Sequence, residues 1–235
     1  MSEQKIKMVV FDMAGTTVNE DNLVYKTLQA SINAAGFEFS LNQVLEQGAG
    51  KEKREAIRSI LAHFANEHDD ALVTQIYDHF IIALTEAYIT ANILPQPNAI
   101  QLFLALKERK IITVLNTGYD RMTACSILDK LNWKIGVEFD ALVTASDVSR
   151  NRPDPDMIQF AMELFNLKQS RQVAKVGDSI VDINEGQNAG CGLSIGITTG
   201  AHTASQLKTA NPSAVINNLI DLLPIIDSYS SLENN

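Results

Sequence analysis

The chain has 235 residues, 46% hydrophobic and 20% charged, which is the composition of a globular fold with a sizeable core. A formal net charge of -9 with no block of like charges argues against nucleic acid or an anionic membrane surface as partner; a small anionic ligand would need a local cluster of cations. No apolar run approaches the roughly 20 residues of a membrane span, and Met1 to Met8 is polar, without a signal-type apolar stretch. Cys125 and Cys191 read as reduced core residues, not a disulfide or metal pair, and the expected location is the cytoplasm.

In chain order, the β-branched run Met8 to Phe11 reads as a fully buried strand that ends on Asp12 and the turn signal Ala14-Gly15. A long region without strands follows. Helices are expected over Leu23 to Ala35, closed by Gly36 at C′, over Leu41 to Glu46, and over Ala71 to Ala91. Between the last two, Gly48-Ala49-Gly50 breaks the pattern and Lys51 to Phe64 resumes it, with Ile57, Ile60, Leu61 and Phe64 on one face. Leu94-Pro95-Gln96-Pro97-Asn98 ends this helical block.

From there the pattern alternates. Helices are expected over Ala99 to Arg109 (N-cap Asn98), Asp120 to Leu131, Asp154 to Phe165 (Pro155 at N1) and Ile180 to Ala189, then Ser205 to Lys208 and Leu219 to Ile226. Strands fall at Ile111 to Asn116, Ala141 to Ala145, Val173 to Val176, Leu193 to Ile197 and Val215-Ile216. Strands separated by helices imply an α/β fold, a Rossmann-like doubly wound parallel sheet. Residues 1–18 and 97–235 then form the core, and residues 19–96 form an inserted small helical cap domain above the strand carboxyl ends, where such sheets bind ligands.

Four groups stand at those strand ends. Asp12 follows the first strand; alone it reads equally as a turn cap. Thr117-Gly118 precedes a helix N-terminus, suited to a phosphate or simply to starting a helix. Arg152, in Arg152-Pro153-Asp154-Pro155, offers a planar donor for phosphoryl oxygens or is a loop arginine. Gly177-Asp178-Ser179 ends the fourth strand, with Asp182 one turn on. Ser179-x-x-Asp182 is a capping box, which explains those two residues but not Asp178. Three carboxylates in one cleft repel unless a cation such as Mg²⁺ joins them.

In this order and spacing the set resembles the haloacid dehalogenase superfamily of phosphohydrolases over nearly the whole chain. The resemblance implies Asp12 as a nucleophile that forms an aspartyl-phosphate. It implies Mg²⁺ held by Asp12, Asp178 and the backbone carbonyl of Ala14, with Asp182 supporting through water. Most members carry a second aspartate where this chain has Ala14, to protonate a leaving alkoxide, and a lysine where it has Arg152.

Asp-x-Ala-Gly-Thr, Arg-Pro-x-Pro and the run to Asn188-Ala189-Gly190 are similar to the phosphonatase branch, phosphonoacetaldehyde hydrolase and its relatives. There a cap lysine condenses with the substrate aldehyde to an iminium, so that carbon leaves phosphorus as an enamine and no acid is needed at position 14. Gly50, Lys53, Ile57 and Arg58 match the branch's cap pattern, which favours Lys53 over Lys51; Gly50, Thr117, Gly118, Tyr119 and Arg152 are implied substrate contacts. Cations in a helix's first turn oppose its dipole, a poor structural use of lysine unless the face is merely solvated. Ala49 and Ala56 depart from the branch's methionine and histidine. His63, His68, His79 and His202 lack ligand spacing and read as structural or surface residues. The expected activity is hydrolysis of a small anionic phosphonate; the alternatives are a phosphatase on a small phosphate ester and a non-catalytic phosphometabolite sensor. Related enzymes often dimerise through the cap, so a homodimer is implied on the same ground.

Overall fold

The computed structural model describes residues 5–231. Part of the polar stretch Met1 to Met8 lies outside that range. A six-stranded parallel sheet forms the centre, in the order β5 (Ala141–Thr144), β4 (Ile112–Thr117), β1 (Met8–Asp12), β6 (Val173–Gly177), β7 (Leu193–Ile197), β8 (Ala214–Ile216). Helices α5 (Ala99–Glu108), α6 (Arg121–Leu131), α7 (Asp156–Leu164), α8 (Ile180–Asn188) and α9 (Ala204–Lys208) supply the connections, as parallel crossovers require, and α10 (Leu222–Ser231) follows β8. The fold is therefore the Rossmann-like α/β sheet expected from the alternating pattern.

Strand β1, apolar up to its last residue Asp12, lies at the middle of the sheet with both of its faces covered. Val9 and Phe11 join one hydrophobic cluster, and Met8 and Val10 the other. Its register sets the site: Asp12 pairs with Asn116 on β4, and Phe11 with Val176 on β6. Asp12, Thr117 and Gly177 thus end neighbouring strands on one edge of the sheet.

Between β1 and α5 come α1 (Leu23–Ala34), α2 (Leu41–Gly48), α3 (Lys53–Ala65) and α4 (Asp70–Thr90), which pack on one another. Val24, Leu28, Val44, Ile57, Ile60 and Phe80 bury their side chains in this layer and merge with the core cluster that contains Phe11. The two chain segments entering and leaving the layer pair antiparallel as β2 (Val18–Asn19) and β3 (Leu94–Pro95). Two residues are too short for an alternating pattern to show, so this ladder has no sequence signal. It ties the two connections side by side but adds little energy; each buried aliphatic side chain contributes roughly 1.5–3 kcal/mol against about 1 kcal/mol per hydrogen bond.

Three sequence expectations need correction. Cys125 is exposed, because Ala124, Ile127 and Leu128 take the buried face of α6 and turn it outward; Cys191 is partly buried, and both thiols are free. Asn98 is the N-cap residue of α5 as expected, but the side-chain cap bond is absent: at φ 64° the side chain donates to Asn218 Oδ1 at 2.9 Å. Asparagine tolerates that left-handed backbone better than most residues. Helix α7 begins at Asp156, with Pro155 as its N-cap. No described helix is long and apolar enough to cross a membrane.

Gly50 carries the sharpest backbone demand where the helical layer meets the core. Its φ is 76°, and a Cβ there would strike the Ser179 hydroxyl at the start of α8. Gly36 also has positive φ, 100°, but faces open space. Gly36→Ala should therefore cost about 1–2 kcal/mol for the left-handed backbone alone, and Gly50→Ala measurably more. Thermal denaturation of the two variants checks this, and equal losses would contradict the close contact.

Candidate active site

Asp12, Ala14, Val24, Tyr25, Gly50, Lys53, Thr117, Gly118, Tyr119 and Arg152 line one buried cavity of about 10 Å³, barely room for one water. The fold thus brings Asp12, Ala14, Gly50, Lys53, Thr117, Gly118, Tyr119 and Arg152 of the sequence-predicted set around one space, while Asp178 and Asp182 do not line it. A larger cavity of about 240 Å³ shares Lys53, Gly118 and Tyr119 with it and extends along Phe80, Ile81 and Leu84 of α4. Gly118 lets the helical layer come this close: a Cβ there would stand 3.0 Å from the Lys51 carbonyl oxygen.

Arg152 is the electrostatic hub. Its side chain is 1% exposed, and Nη1 lies 2.7 Å from Asp12 Oδ1 and 2.9 Å from Asp182 Oδ1. Nη2 donates to the Asn116 carbonyl at 2.8 Å, and Nε forms an ion pair with Glu185 at 3.3 Å. Arg152 therefore restrains the Asp12 carboxylate and is not a free donor in a loop. The fully buried Lys175, from the middle of β6, completes the network at 3.0 Å from both Asp182 and Glu185. Lys175 and Glu185 were missed from sequence, although both left a signal. A lysine within the buried run Val173–Gly177 needs a carboxylate, and Glu185 lies one helical turn after Asp182.

Asp178 stands differently. Oδ2 accepts from the Ala201 N–H at 2.6 Å and Oδ1 from the Thr16 hydroxyl at 3.3 Å, with no cation in ion-pair contact among the described residues. Burial, then the charges of Asp12 and Asp182, drive its pKa well above the usual carboxylate range. Burial also raises Asp12, and Arg152 offsets that only in part. Burial acts the same way on Asp182, but Lys175, Arg152 and the Ser179 hydroxyl overcome it and the net shift is downward. Ser179 and Asp182 do form the expected capping box.

Donor oxygens of Asp12, Asp178 and Asp182 lie within 4.8 Å of one another. Together with Glu185 they set four buried carboxylates against the two cations Arg152 and Lys175, a deficit that one divalent cation would balance. The set is all hard oxygen, which fits Mg²⁺. Asp182 is already neutralised by its two cations, so Asp12 and Asp178 have most to gain from a metal.

Lys53 is the first residue of α3, with Glu52 as the N-cap accepting from the Arg54 and Glu55 N–H groups. Its side chain is buried; Nζ donates to the Lys51 carbonyl at 2.9 Å and sits 5.3 Å from the Tyr25 ring and 5.5 Å from the Tyr119 ring. Burial lowers its pKa, opposed by the charges of Glu52 and Asp12. Lys51 does not line this cavity; its Nζ bonds the Ser59 hydroxyl at 2.9 Å. Thr117 Oγ1 accepts from the Tyr119 N–H at 3.2 Å, and the Gly50 N–H donates to the Tyr25 hydroxyl at 3.0 Å. Ala49 and Ala56 are buried in the hydrophobic cluster. His63, His68 and His79 are exposed, and His202 accepts from the Ile180 N–H at 3.1 Å, a structural contact.

Replacing Lys175 with methionine leaves Asp182 and Glu185 short of a buried cation, so Lys175→Met should lower the unfolding free energy by about 3–5 kcal/mol. Denaturant titration checks this, and a loss below about 1 kcal/mol would remove Lys175 from the network.

The chain is 29% identical to the phosphonoacetaldehyde hydrolase of Latilactobacillus sakei, over 96% of this chain and 97% of that protein. It is 25% identical to the phosphoglycolate phosphatase of Yersinia pseudotuberculosis, over 94% and 93% of the two chains. The solved structure of a phosphonoacetaldehyde hydrolase-like protein from Oleispira antarctica superposes with a TM-score of 0.82 at 22% identity, covering 96% of this chain and 92% of that one. The haloacid dehalogenase-like hydrolase profile matches residues 6–190, and the chain belongs to that family of hydrolases.

Proposed function

We propose that the protein is a Mg²⁺-dependent hydrolase that cleaves the C–P bond of phosphonoacetaldehyde, or a close analogue, to phosphate and an aldehyde. The observation that carries this reading is the pairing of Ala14 with Lys53: the cavity that holds Asp12 has no acid at position 14 and has a buried amine facing it from α3. A phosphate ester leaves as an alkoxide and needs a proton donor. An aldehyde phosphonate needs an electron sink, which a lysine iminium provides.

In this reading the Lys53 amine adds to the aldehyde and water departs. The C–P electron pair then moves into the carbon skeleton, and phosphorus passes to the Asp12 carboxylate. Water releases phosphate from Asp12 and the aldehyde from Lys53. Asp12, Asp178 and the Ala14 carbonyl, with Asp182 behind them, would hold Mg²⁺, which would neutralise charge on the phosphoryl oxygens. Arg152 restrains Asp12, and Thr117 and Gly118 face the phosphoryl group. In this reading the helical layer acts as a cap, and the space of about 10 Å³ beside Asp12 widens to admit substrate. Burial favours the free amine at Lys53.

The relation to a phosphoglycolate phosphatase supports a second reading, ester hydrolysis from the same Asp12, in which the acid must come from elsewhere than Ala14.

Borohydride added with phosphonoacetaldehyde should fix a reduced adduct on Lys53, found by peptide mass mapping. Because the Lys53 pKa is lowered, labelling should persist to a more acidic pH than for an exposed lysine. Absence of an adduct, or an adduct on Lys51, would overturn the reading.

A further inference from the structure

The reaction just described leaves one buried carboxylate unused. Glu20, directly after β2, is 6% exposed and lies outside the Arg152 network. Tyr88, near the end of α4, donates to its Oε2 in a short hydrogen bond, and Tyr119, from the loop after β4, donates to the same oxygen at 3.2 Å. The two hydroxyls are 2.9 Å apart, so three oxygens form a closed triangle. The Val24 N–H reaches the other carboxylate oxygen at 3.4 Å.

Every other buried carboxylate at this site either faces Arg152 or Lys175 or belongs to the metal-fitting set. Glu20 does neither, and an unpaired carboxylate is costly to bury. The charged group acting on it is Lys53, from beyond ion-pair distance; the other groups facing it are Tyr88, Tyr119 and Tyr25. Tyr119 joins the two regions: its ring lies 5.5 Å from Lys53 Nζ, it lines the cavity, and its hydroxyl is in the triangle.

We propose that the Glu20–Tyr88–Tyr119 triangle is the proton store of the Lys53 half-reaction, with Glu20 acting through the Tyr119 hydroxyl. The inference rests on the C–P cleavage reading. When the C–P bond breaks, its electron pair becomes the carbon–carbon double bond of an enamine on Lys53, and phosphorus goes to Asp12. The terminal carbon must then gain one proton, which turns the enamine into an iminium. Water adds to that iminium, the C–N bond breaks, the aldehyde leaves, and one proton is released. The Glu20 carboxyl gives the first proton through Tyr119 and recovers the second, so the store is unchanged after each turnover. Burial pushes the Glu20 pKa upward, opposed by the Tyr88, Val24 and Tyr119 hydrogen bonds and the Lys53 charge, a shift in the direction that favours its acid form. Tyr119, which lines the cavity beside Lys53, is the group assigned to deliver the proton to the substrate carbon, and Glu20 and Tyr88 position and charge it.

Glu20→Gln keeps the size and hydrogen-bonding capacity of the side chain but removes the acid. With phosphonoacetaldehyde, acid-quenched phosphate should still appear in a fast phase of about one equivalent per site. Steady-state release of free acetaldehyde, followed through alcohol dehydrogenase, should fall about a hundredfold, and KM should fall with it because the slowed step comes after C–P cleavage. A purely structural Glu20 would lower both products together without a fast phase; that result, or no change in either, would overturn the proposal. Tyr88→Phe leaves the acid in place but opens the triangle, and should show the same split with a loss of about tenfold. If Glu20→Gln does not fold, absence of that split in Tyr88→Phe is the contradicting result. Wild-type protein that yields no phosphate from phosphonoacetaldehyde would remove the C–P cleavage reading itself, and the proposal with it. That failure is read in the wild-type arm alone.

Discussion

The site depends on a buried guanidinium. Arg152 touches Asp12, Asp182, Asn116 and Glu185 at once, and Lys175 pairs with two of the same carboxylates, Asp182 and Glu185. An isolated carboxylate in this interior would take up a proton and lose its nucleophilicity. The network keeps Asp12 beside a fixed positive charge and leaves Asp178, which lacks such a partner, as the carboxylate most in need of a cation. The parallel sheet makes this arrangement compact, because β1, β4 and β6 end side by side and deliver Asp12, Thr117 and Gly177 to one edge.

The helical layer completes the cavity from the other side. Its approach is set by two glycines, Gly50 against α8 and Gly118 against the Lys51 carbonyl. Between them α3 begins, and its first residue, Lys53, is buried with its amine near two tyrosine rings. A lysine at a helix N-terminus opposes the dipole and is costly to bury. That cost is intelligible if an uncharged amine is needed there, which is the premise of the proposed reaction.

The strand order could be anticipated because each β–α alternation carries its own signal: apolar β-branched strands, glycine stops and a capping box at Ser179. Asp12, Thr117 and Asp178 were legible because each stands at the end of a strand, and Arg152 because two prolines mark its loop ahead of α7. The short β2–β3 ladder was not, since two residues carry no periodicity. Lys175 and Glu185 went unread because a strand lysine and a helix glutamate look ordinary until burial is known. Glu20 and Tyr88 are harder still: they are 68 residues apart and meet only because the two ends of the helical insertion return to the same place. Arg152 was placed correctly in sequence but as a free donor, whereas its contacts show a group already committed to four neighbours.

The central claim is that Lys53, not an acid beside Asp12, allows the phosphorus bond to break. Its most direct test is kcat/KM for phosphonoacetaldehyde and for phosphoglycolate, measured side by side with Mg²⁺ on wild type and Lys53→Ala. The account predicts preference for the phosphonate and a loss of about a thousandfold or more on it in Lys53→Ala. Faster turnover of phosphoglycolate, unchanged in Lys53→Ala, would contradict it.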